Sequence, residues 1–292
     1  MHKRVTLGVV VSGALALSVL AVPAAQADGE PTGSKISAKT ADAVRGTSAD
    51  AQSTLRSSAA AAPLDITYSN YKVAKAIKVG TTAVVSTTVS YKITHSADLI
   101  EGVDFLTNPY LYKGDFDFPD HIIPSFYAAD CTYTSATTAN CSAAIDIDPT
   151  YNLINSDAGT WRGGAISFNE DETQDADKGA LGTTLVQRNS KLTVNASPEP
   201  VKKGKTITVT GKLSRANWET GSYAGYASQS VKLQFRKKNA SSYTTVKTVK
   251  TNSKGELKTT VKASQDGHFR YAFAGTSTTP AVNATGDYID VK

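Results

Sequence analysis

Residues 230–237 read SVKLQFRK, so that apolar side chains alternate with polar or charged ones along the stretch. An alternation with a period of two predicts a β-strand that buries one face and exposes the other. The same alternation recurs at residues 192–194, 207–209, 257–261, 269–273 and 289–291, and a less regular strand is predicted at 243–249. Short strands of this kind, separated by Gly, Asn, Ser and Pro, predict a β-sandwich for the second half of the chain.

The first half of the chain repeats this pattern less regularly. Side chains alternate from Val85 to Ile93, and shorter alternations occur around Cys131, Ile145 and Ile166. No convincing helical periodicity is present. Because 292 residues accommodate two domains, we predict an all-β chain of two sandwiches with a boundary near residues 188–190.

The N-terminal part of the chain has a different composition. A basic start at residues 2–4 precedes an apolar run and the small-residue motif AQA at residues 25–27, which is the pattern of a secretory signal peptide. The following residues are rich in Ala, Ser and Thr, with too few large apolar side chains to build a core, so we expect a disordered leader. The predicted segments are a signal peptide, a flexible leader, an acidic β-sandwich and a basic β-sandwich, at residues 1–27, 28–62, 63–189 and 190–292. We therefore expect a secreted, extracellular protein whose mature chain has no transmembrane segment.

Five motifs in the second half resemble bacterial immunoglobulin-like domains. They are PEPVKKG at 198–204, TITVTG at 206–211, YTTV at 243–246, NSKG at 252–255 and DGHFRY at 266–271. Together with the Ala-rich signal peptide, they make the chain similar to secreted actinobacterial proteins that end in such a module. The resemblance covers residues 191–292 and implies an immunoglobulin-like sandwich there. It implies little about activity, because such modules serve adhesion, spacing and ligand binding alike.

The two halves carry opposite charge. Residues 63–190 hold 8 Lys and Arg against 16 Asp and Glu, a net charge of −8, whereas residues 191–292 hold 17 against 6, a net charge of +11. The strand pattern points Lys232, Arg236 and Lys258 outward, so a basic face is predicted to bind an anionic cell-wall polymer or another extracellular protein. The alternative is a solvated face that keeps the protein soluble. Specific nucleic-acid binding is disfavoured because no nucleic-acid recognition motif with interleaved aromatic residues is present.

The acidic half suggests a calcium site. Glu170, Asp171, Asp175 and Asp177 lie in one short run, and Ca²⁺ binds clustered carboxylate oxygens on loops. The run does not fit the twelve-residue EF-hand template. A solvated acidic loop is the alternative interpretation, so calcium is the one cofactor that the sequence suggests.

Two cysteines, Cys131 and Cys141, are separated by a polar segment. In an exported protein such a pair is expected to form a disulfide. A catalytic or metal-binding role is disfavoured, because the sequence has no CxxC motif and no His beside either residue.

Aromatic residues suggest a second type of binding site. Trp218 is followed closely by Tyr223 and Tyr226 in a segment punctuated by Gly, and such aromatic faces stack on sugars or peptides. The alternative is a loop that folds back and caps one end of the sandwich. Trp161 is predicted to lie in the core.

No enzymatic motif is found in the sequence. It has no HExxH, no GxSxG and no Gly-rich phosphate-binding loop, and Asp120-His121 has no evident nucleophile as a partner. The function predicted from the sequence is therefore that of a secreted, non-enzymatic protein that binds or acts as a spacer at the cell envelope or in the extracellular medium. The alternatives are an extracellular calcium-binding protein and an enzyme or enzyme inhibitor of unseen mechanism.

Overall fold

The computed structural model describes residues 62–292, in which strands form almost all of the regular structure. The one helical element in this range is a short 3-10 turn, η1 (Asn155–Asp157). The predicted signal peptide and nearly all of the predicted leader lie outside the described residues. The last leader residue, Ala62, belongs instead to strand β1 (Ala62–Pro63), which pairs in parallel with Gln174–Asp175. No helix within the described range is long and apolar enough to cross a membrane.

The first half forms two sheets. One sheet contains, in order, β2 (Ile66–Lys72), β4 (Val85–His95), β8 (Thr138–Ile147) and β7 (Asp130–Ser135). The other contains β3 (Ala76–Val79), β10 (Gln174–Arg188), β9 (Gly159–Phe168), β5 (Leu106–Gly114) and β6 (Pro119–Pro124), with β1 also beside β10. All pairs are antiparallel except those that β1 and β3 make with β10.

This strand order is that of an immunoglobulin-like sandwich, whose two sheets have the orders A-B-E-D and G-F-C, here β2-β4-β8-β7 and β10-β9-β5. Strand β4 pairs with β8, and β5 pairs with β9. The sheets enclose a core that includes Val89, Ile93, Ile145 and Trp161, all fully buried. The predicted core position of Trp161 agrees with this burial.

The second half also forms two sheets. One is built on β13 (Thr206–Asn217), which pairs with β11 (Ser190–Leu192), β12 (Asn195–Ser197), β14 (Ser222–Gly225) and β17 (Glu256–Lys262). The other contains β16 (Thr244–Lys250), β15 (Ser230–Lys237), β18 (Gly267–Phe273), β19 (Val282–Asn283) and β20 (Asp287–Ile289).

The alternation in the second half places the predicted apolar face inside. Val231, Leu233, Leu257 and Phe269 are buried in one core between the two sheets. Tyr271 is buried with them, and its hydroxyl donates a hydrogen bond to the Val209 carbonyl of the opposite sheet at 3.0 Å. The predicted all-β, immunoglobulin-like architecture is therefore confirmed.

Candidate functional site

The aromatic segment predicted as a ligand platform is not an open loop. It forms the turn and second strand of the β13–β14 hairpin, and this hairpin packs on the first sandwich. Trp218 is 4% exposed and lies in the core cluster of the first sandwich, where its Nε1 donates a hydrogen bond to the Gly80 carbonyl at 2.9 Å. Trp218 therefore presents no free ring face to a ligand, and it packs into the other sandwich rather than folding back onto its own.

The turn around Trp218 is held by the side chain of Asn155 from η1. The Nδ2 of Asn155 donates to Asn217 Oδ1 at 2.8 Å and to Glu219 Oε2 at 2.7 Å. Its Oδ1 accepts a hydrogen bond from the backbone N–H of Trp218 at 3.1 Å. One amide of the first sandwich thus satisfies three polar groups of the second, and this fixes the hairpin in place.

A second set of contacts joins the sandwiches where β10 ends. Arg188 is 7% exposed, and its Nε donates to the Ala216 carbonyl at 2.5 Å. The Nε2 of Gln187 donates to the Thr276 carbonyl at 2.8 Å. Burial, together with the nearby Arg215 cation, lowers the pKa of Arg188 to about 10. Only Asn189 separates β10 from β11, so the described chain passes from one sandwich to the other without a flexible linker.

The two tyrosines that follow Trp218 stack against cations of the same chain. The ammonium of Lys191 lies 3.8 Å from the ring centroid of Tyr223. The guanidinium carbon of Arg215 lies 3.9 Å from the ring centroid of Tyr226. Both tyrosines are partly buried and pack against the hydrophobic cores, so they take part in the junction between the sandwiches and in the core behind it.

The three basic residues predicted to share a binding face lie on two different sheets. Lys232 and Arg236 point outward from β15, whereas Lys258 points outward from β17. Since β15 and β17 belong to opposite sheets of the second sandwich, one flat ligand surface cannot cover all three.

The face that carries Lys232 and Arg236 also contains Arg270 and Tyr243, which are not among the binding residues predicted from the sequence. The guanidinium carbon of Arg270 lies 3.9 Å from the Tyr243 ring centroid, and that of Arg236 lies 5.4 Å from it. The Nε of Arg270 donates to Gln234 Oε1 at 2.8 Å, and Nη1 of Arg236 donates to the Ala240 carbonyl at 2.8 Å. The sequence predicts a strand at 243–249, but Tyr243 lies just before β16, and only the folded connection places its ring over the arginines.

The residues of the predicted calcium site occupy the β9–β10 turn and the start of β10. Glu170 and Asp171 lie in the turn, and Asp175 and Asp177 lie on β10, where the Tyr110 hydroxyl donates to Asp177 Oδ1 at 2.5 Å. The turn itself is held by the side chain of Asn169, which accepts hydrogen bonds from two backbone N–H groups. Within residues 62–292, no group of three His, Cys, Asp or Glu side chains is arranged to hold a metal ion. Calcium binding stays a prediction.

The predicted disulfide is confirmed. Cys131 and Cys141 lie directly opposite each other on β7 and β8, and their sulfur atoms are bonded at 2.06 Å. The bond ties the edge strand β7 to its neighbour. Cys141 is buried, and Cys131 packs against the core of the first sandwich.

The histidine that the sequence places beside Asp120 pairs with a different carboxylate. The Nδ1 of His121 lies 3.2 Å from Asp157 Oδ2, and the Lys113 ammonium lies 4.0 Å from Asp157 Oδ1. Burial of Asp157 opposes ionisation, but hydrogen bonds from His121 and from the Ile154 N–H, with the electrostatic contributions of His121 and Lys113, lower its pKa overall. The carboxylate therefore fixes the η1 turn that carries the junction residues, and we assign it a structural role.

Comparisons with known proteins place the chain in no family. No family model matches it, and no curated protein matches it. Solved structures similar to it include a chimeric titin Z1Z2 tandem, at 14% identity and a TM-score of 0.27 over 76% of this chain and 99% of that one. Fibronectin(III)-like modules of Clostridium thermocellum CbhA are 11% identical, with a TM-score of 0.28 over 77% and 92%. A marsupial T cell receptor is 12% identical, with a TM-score of 0.28 over 78% and 72%. These similarities are too weak to support a conclusion, so the immunoglobulin-like fold is assigned from the strand order alone.

Proposed function

We propose that the chain is a secreted, non-enzymatic protein that acts by binding and spacing at the cell envelope or in the extracellular medium. In this proposal the two sandwiches work as one rigid body. When one sandwich is bound to the envelope, the other sandwich is then held at a fixed distance and orientation from it.

The observation that carries the proposal is the burial of Trp218, a residue of the second sandwich, in the core of the first. Domains of one chain are expected to move relative to each other unless their interface is large and apolar. Here the apolar contact of Trp218 and Ala216 is combined with the Asn155 and Arg188 hydrogen bonds. A spacer benefits from such a junction, because each degree of freedom that is removed narrows the range of distances that the protein spans.

Small-angle X-ray scattering on the purified full chain tests the rigid body. We expect the contribution of residues 62–292 to the wild-type scattering to fit one fixed arrangement of the two sandwiches. Trp218→Ala is expected to increase the radius of gyration, because it removes the apolar anchor of the junction. The matched control is Tyr151→Ala, which removes an aromatic side chain that is 47% exposed on the first sandwich and should leave the scattering unchanged. A Trp218→Ala profile that superimposes on the wild type would remove the argument for a spacer.

Cosedimentation with envelope material from the producing cell, and a pull-down from its culture medium, test the binding role. We expect the folded full chain either to cosediment with the envelope material or to capture a partner from the medium. The bound fraction should fall as salt is raised where charge contributes to binding. A protein that neither fraction retains at low salt contradicts a binding function. The scattering result is independent of that outcome and bears on spacing alone.

A further inference from the structure

The outer face of the β15–β18 sheet carries two arginines whose charges have no carboxylate partner among the described residues. The ion pairs found within residues 62–292 do not involve Arg236 or Arg270. Two acidic side chains at the ends of β18 and β20 are engaged with other groups. Asp266 pairs with Lys238 at 3.5 Å, and Asp287 accepts a hydrogen bond from the backbone N–H of Ala196 at 2.6 Å.

Both guanidinium groups are nevertheless held in position by neutral groups. Arg270 is oriented by Gln234 and by the ring of Tyr243, and Arg236 by the Ala240 carbonyl. Each of these hydrogen bonds uses one N–H group, and a guanidinium has five. The remaining donors form a planar fork whose charge is not neutralised, and both side chains are partly exposed. This arrangement is preorganised for an oxyanion, because the side chains lose little further freedom when it binds.

We propose that Arg236, Arg270 and Tyr243 form a binding site for the phosphate groups of an extended anionic polymer. Guanidinium forks match phosphate bidentately and bind it with charge-assisted hydrogen bonds. A polymer is favoured over a small anion because Lys232 lies on the same face, four residues from Arg236 on β15. Four residues of a strand span roughly 13 Å, so only an extended chain contacts both cations. The site deepens the proposed function, since it names the surface and the ligand class for envelope binding.

The neighbouring histidine provides a local reporter of occupancy. His268 lies directly opposite Arg236 in the sheet register, and its Nδ1 is buried without a hydrogen-bond partner among the described residues. The other groups that face it are Asp287 and the ring of Tyr288 at 5.2 Å, and the Lys238–Asp266 pair lies beyond that ring. Burial and the Arg236 cation lower the pKa of His268, while Asp287 acts in the opposite direction. An anion bound at Arg236 offsets part of that positive field, so the pKa of His268 should rise when the site is filled.

Binding of the full chain to inorganic polyphosphate tests the site, measured at about 0.15 M NaCl to limit long-range attraction. The Arg236→Gln/Arg270→Gln variant is expected to bind roughly tenfold or more weakly, because two charge-assisted forks are lost. Lys258→Gln/Lys262→Gln is the matched control. It removes the same charge from the opposite sheet, where both lysines are exposed, and should change affinity less than about threefold. Equal loss in the two variants would show that binding follows net charge and would overturn the site.

Two further measurements separate the remaining explanations. Polyglutamate of matched length should bind markedly more weakly than polyphosphate, and equal affinity overturns the assignment to phosphate. An NMR titration should show that saturating polyphosphate raises the pKa of His268, while the backbone chemical shifts of the first sandwich do not change. The Arg236→Gln substitution should raise the pKa of His268 without ligand. An unchanged His268 pKa at saturation would place the polymer elsewhere, whether or not envelope material retains the protein.

Discussion

The two sandwiches have similar strand orders but opposite charge and different means of stabilisation. The first carries a net charge of −8, a disulfide and two buried charged side chains, Asp157 and Arg188. The second carries +11 and is closed by a core of aliphatic and aromatic side chains. The residues that face inward determine that a chain folds as a sandwich, whereas its charged residues lie at outward-facing positions and in loops. Similar architecture can therefore present either sign of charge, and function must be sought on the outer faces and at the junction.

The largest effect is expected from a substitution at the junction between the two sandwiches. Trp218 belongs to the second sandwich by sequence but to the core of the first by packing. Trp218→Ala should lower the free energy of unfolding by about 3–5 kcal/mol, because a buried Trp is replaced by a cavity. It should also separate one cooperative thermal transition into two, which differential scanning calorimetry detects. A single transition in the variant, with a loss below about 1 kcal/mol, would contradict the junction described above.

The next largest effect is expected from the disulfide, which lies in the first sandwich. The paired substitution Cys131→Ser/Cys141→Ser should lower the free energy of unfolding by roughly 2.5–3 kcal/mol, since it releases a loop of about eleven residues in the unfolded chain. Chemical denaturation measures this loss, and thiol titration of the unfolded wild-type protein should find no free thiol. The chemical shifts of the second core, including those of Leu233 and Leu257, should not change. Changes there would mean that the disulfide acts beyond its own sandwich.

A buried carboxylate gives the first sandwich an acid-sensitive contribution. Asp157→Asn should cost about 1.5–2 kcal/mol near pH 7, where the ionised carboxylate accepts charge-assisted hydrogen bonds. Its folded-state pKa is lowered, so its contribution is present above the ordinary Asp pKa of about 3.9 and is lost as pH falls through the folded value. The stability difference between wild type and variant should therefore shrink below about pH 4. Asp120→Asn, at the exposed neighbour of His121, is the control and should change the free energy of unfolding near pH 7 by less than about 0.5 kcal/mol.

The smallest expected effect concerns calcium. If the carboxylates of the β9–β10 turn bind the ion, as the sequence predicts, millimolar calcium should raise the melting temperature of the full chain by a few degrees, and a shift below about 1 °C would remove the site. An increase of several degrees that disappears in Asp171→Asn/Asp175→Asn would establish the calcium site that the acidic run suggests. The basic sandwich offers the comparison, since its signals should not respond in either case.

Two central strands show where sequence periodicity succeeds and where it fails. Strand β15 alternates between buried and exposed positions near its start, so its pattern is visible in the sequence. Strand β5 is buried over seven consecutive residues, on both faces, and therefore shows no alternation. It also contains Pro109, which normally argues against a central strand. The Pro109 carbonyl accepts a hydrogen bond from the N–H of Ser125, the residue that follows β6. The nitrogen of Pro109 therefore lies opposite a position where β6 has already ended, and no hydrogen bond of that strand is lost there.

The candidate sites divide in a similar way. The disulfide is predictable because two nearby cysteines in an exported chain have few other roles. The arginine pair is partly predictable from the sequence, since Arg236 and Arg270 both occupy outward-facing strand positions. The position of Tyr243 is not predictable in this way, because it precedes the first paired residue of β16 and the irregular alternation at 243–249 does not tell which surface its ring covers. His121 pairs with Asp157, 36 residues away, and no spacing rule predicts that contact.

By itself, the sequence determined the all-β class, the two opposite charges, the disulfide and the apolar face of most strands of the second sandwich. These properties depend on local alternation and composition, which a chain carries before it folds. Tertiary structure alone decided that Trp218 anchors the junction, that Lys258 lies on a different sheet from Lys232 and Arg236, and that Tyr243 covers two arginines. Each of these depends on which segments meet across the sheets and between the sandwiches. Such pairings follow from the packing of the whole core, to which distant residues contribute together.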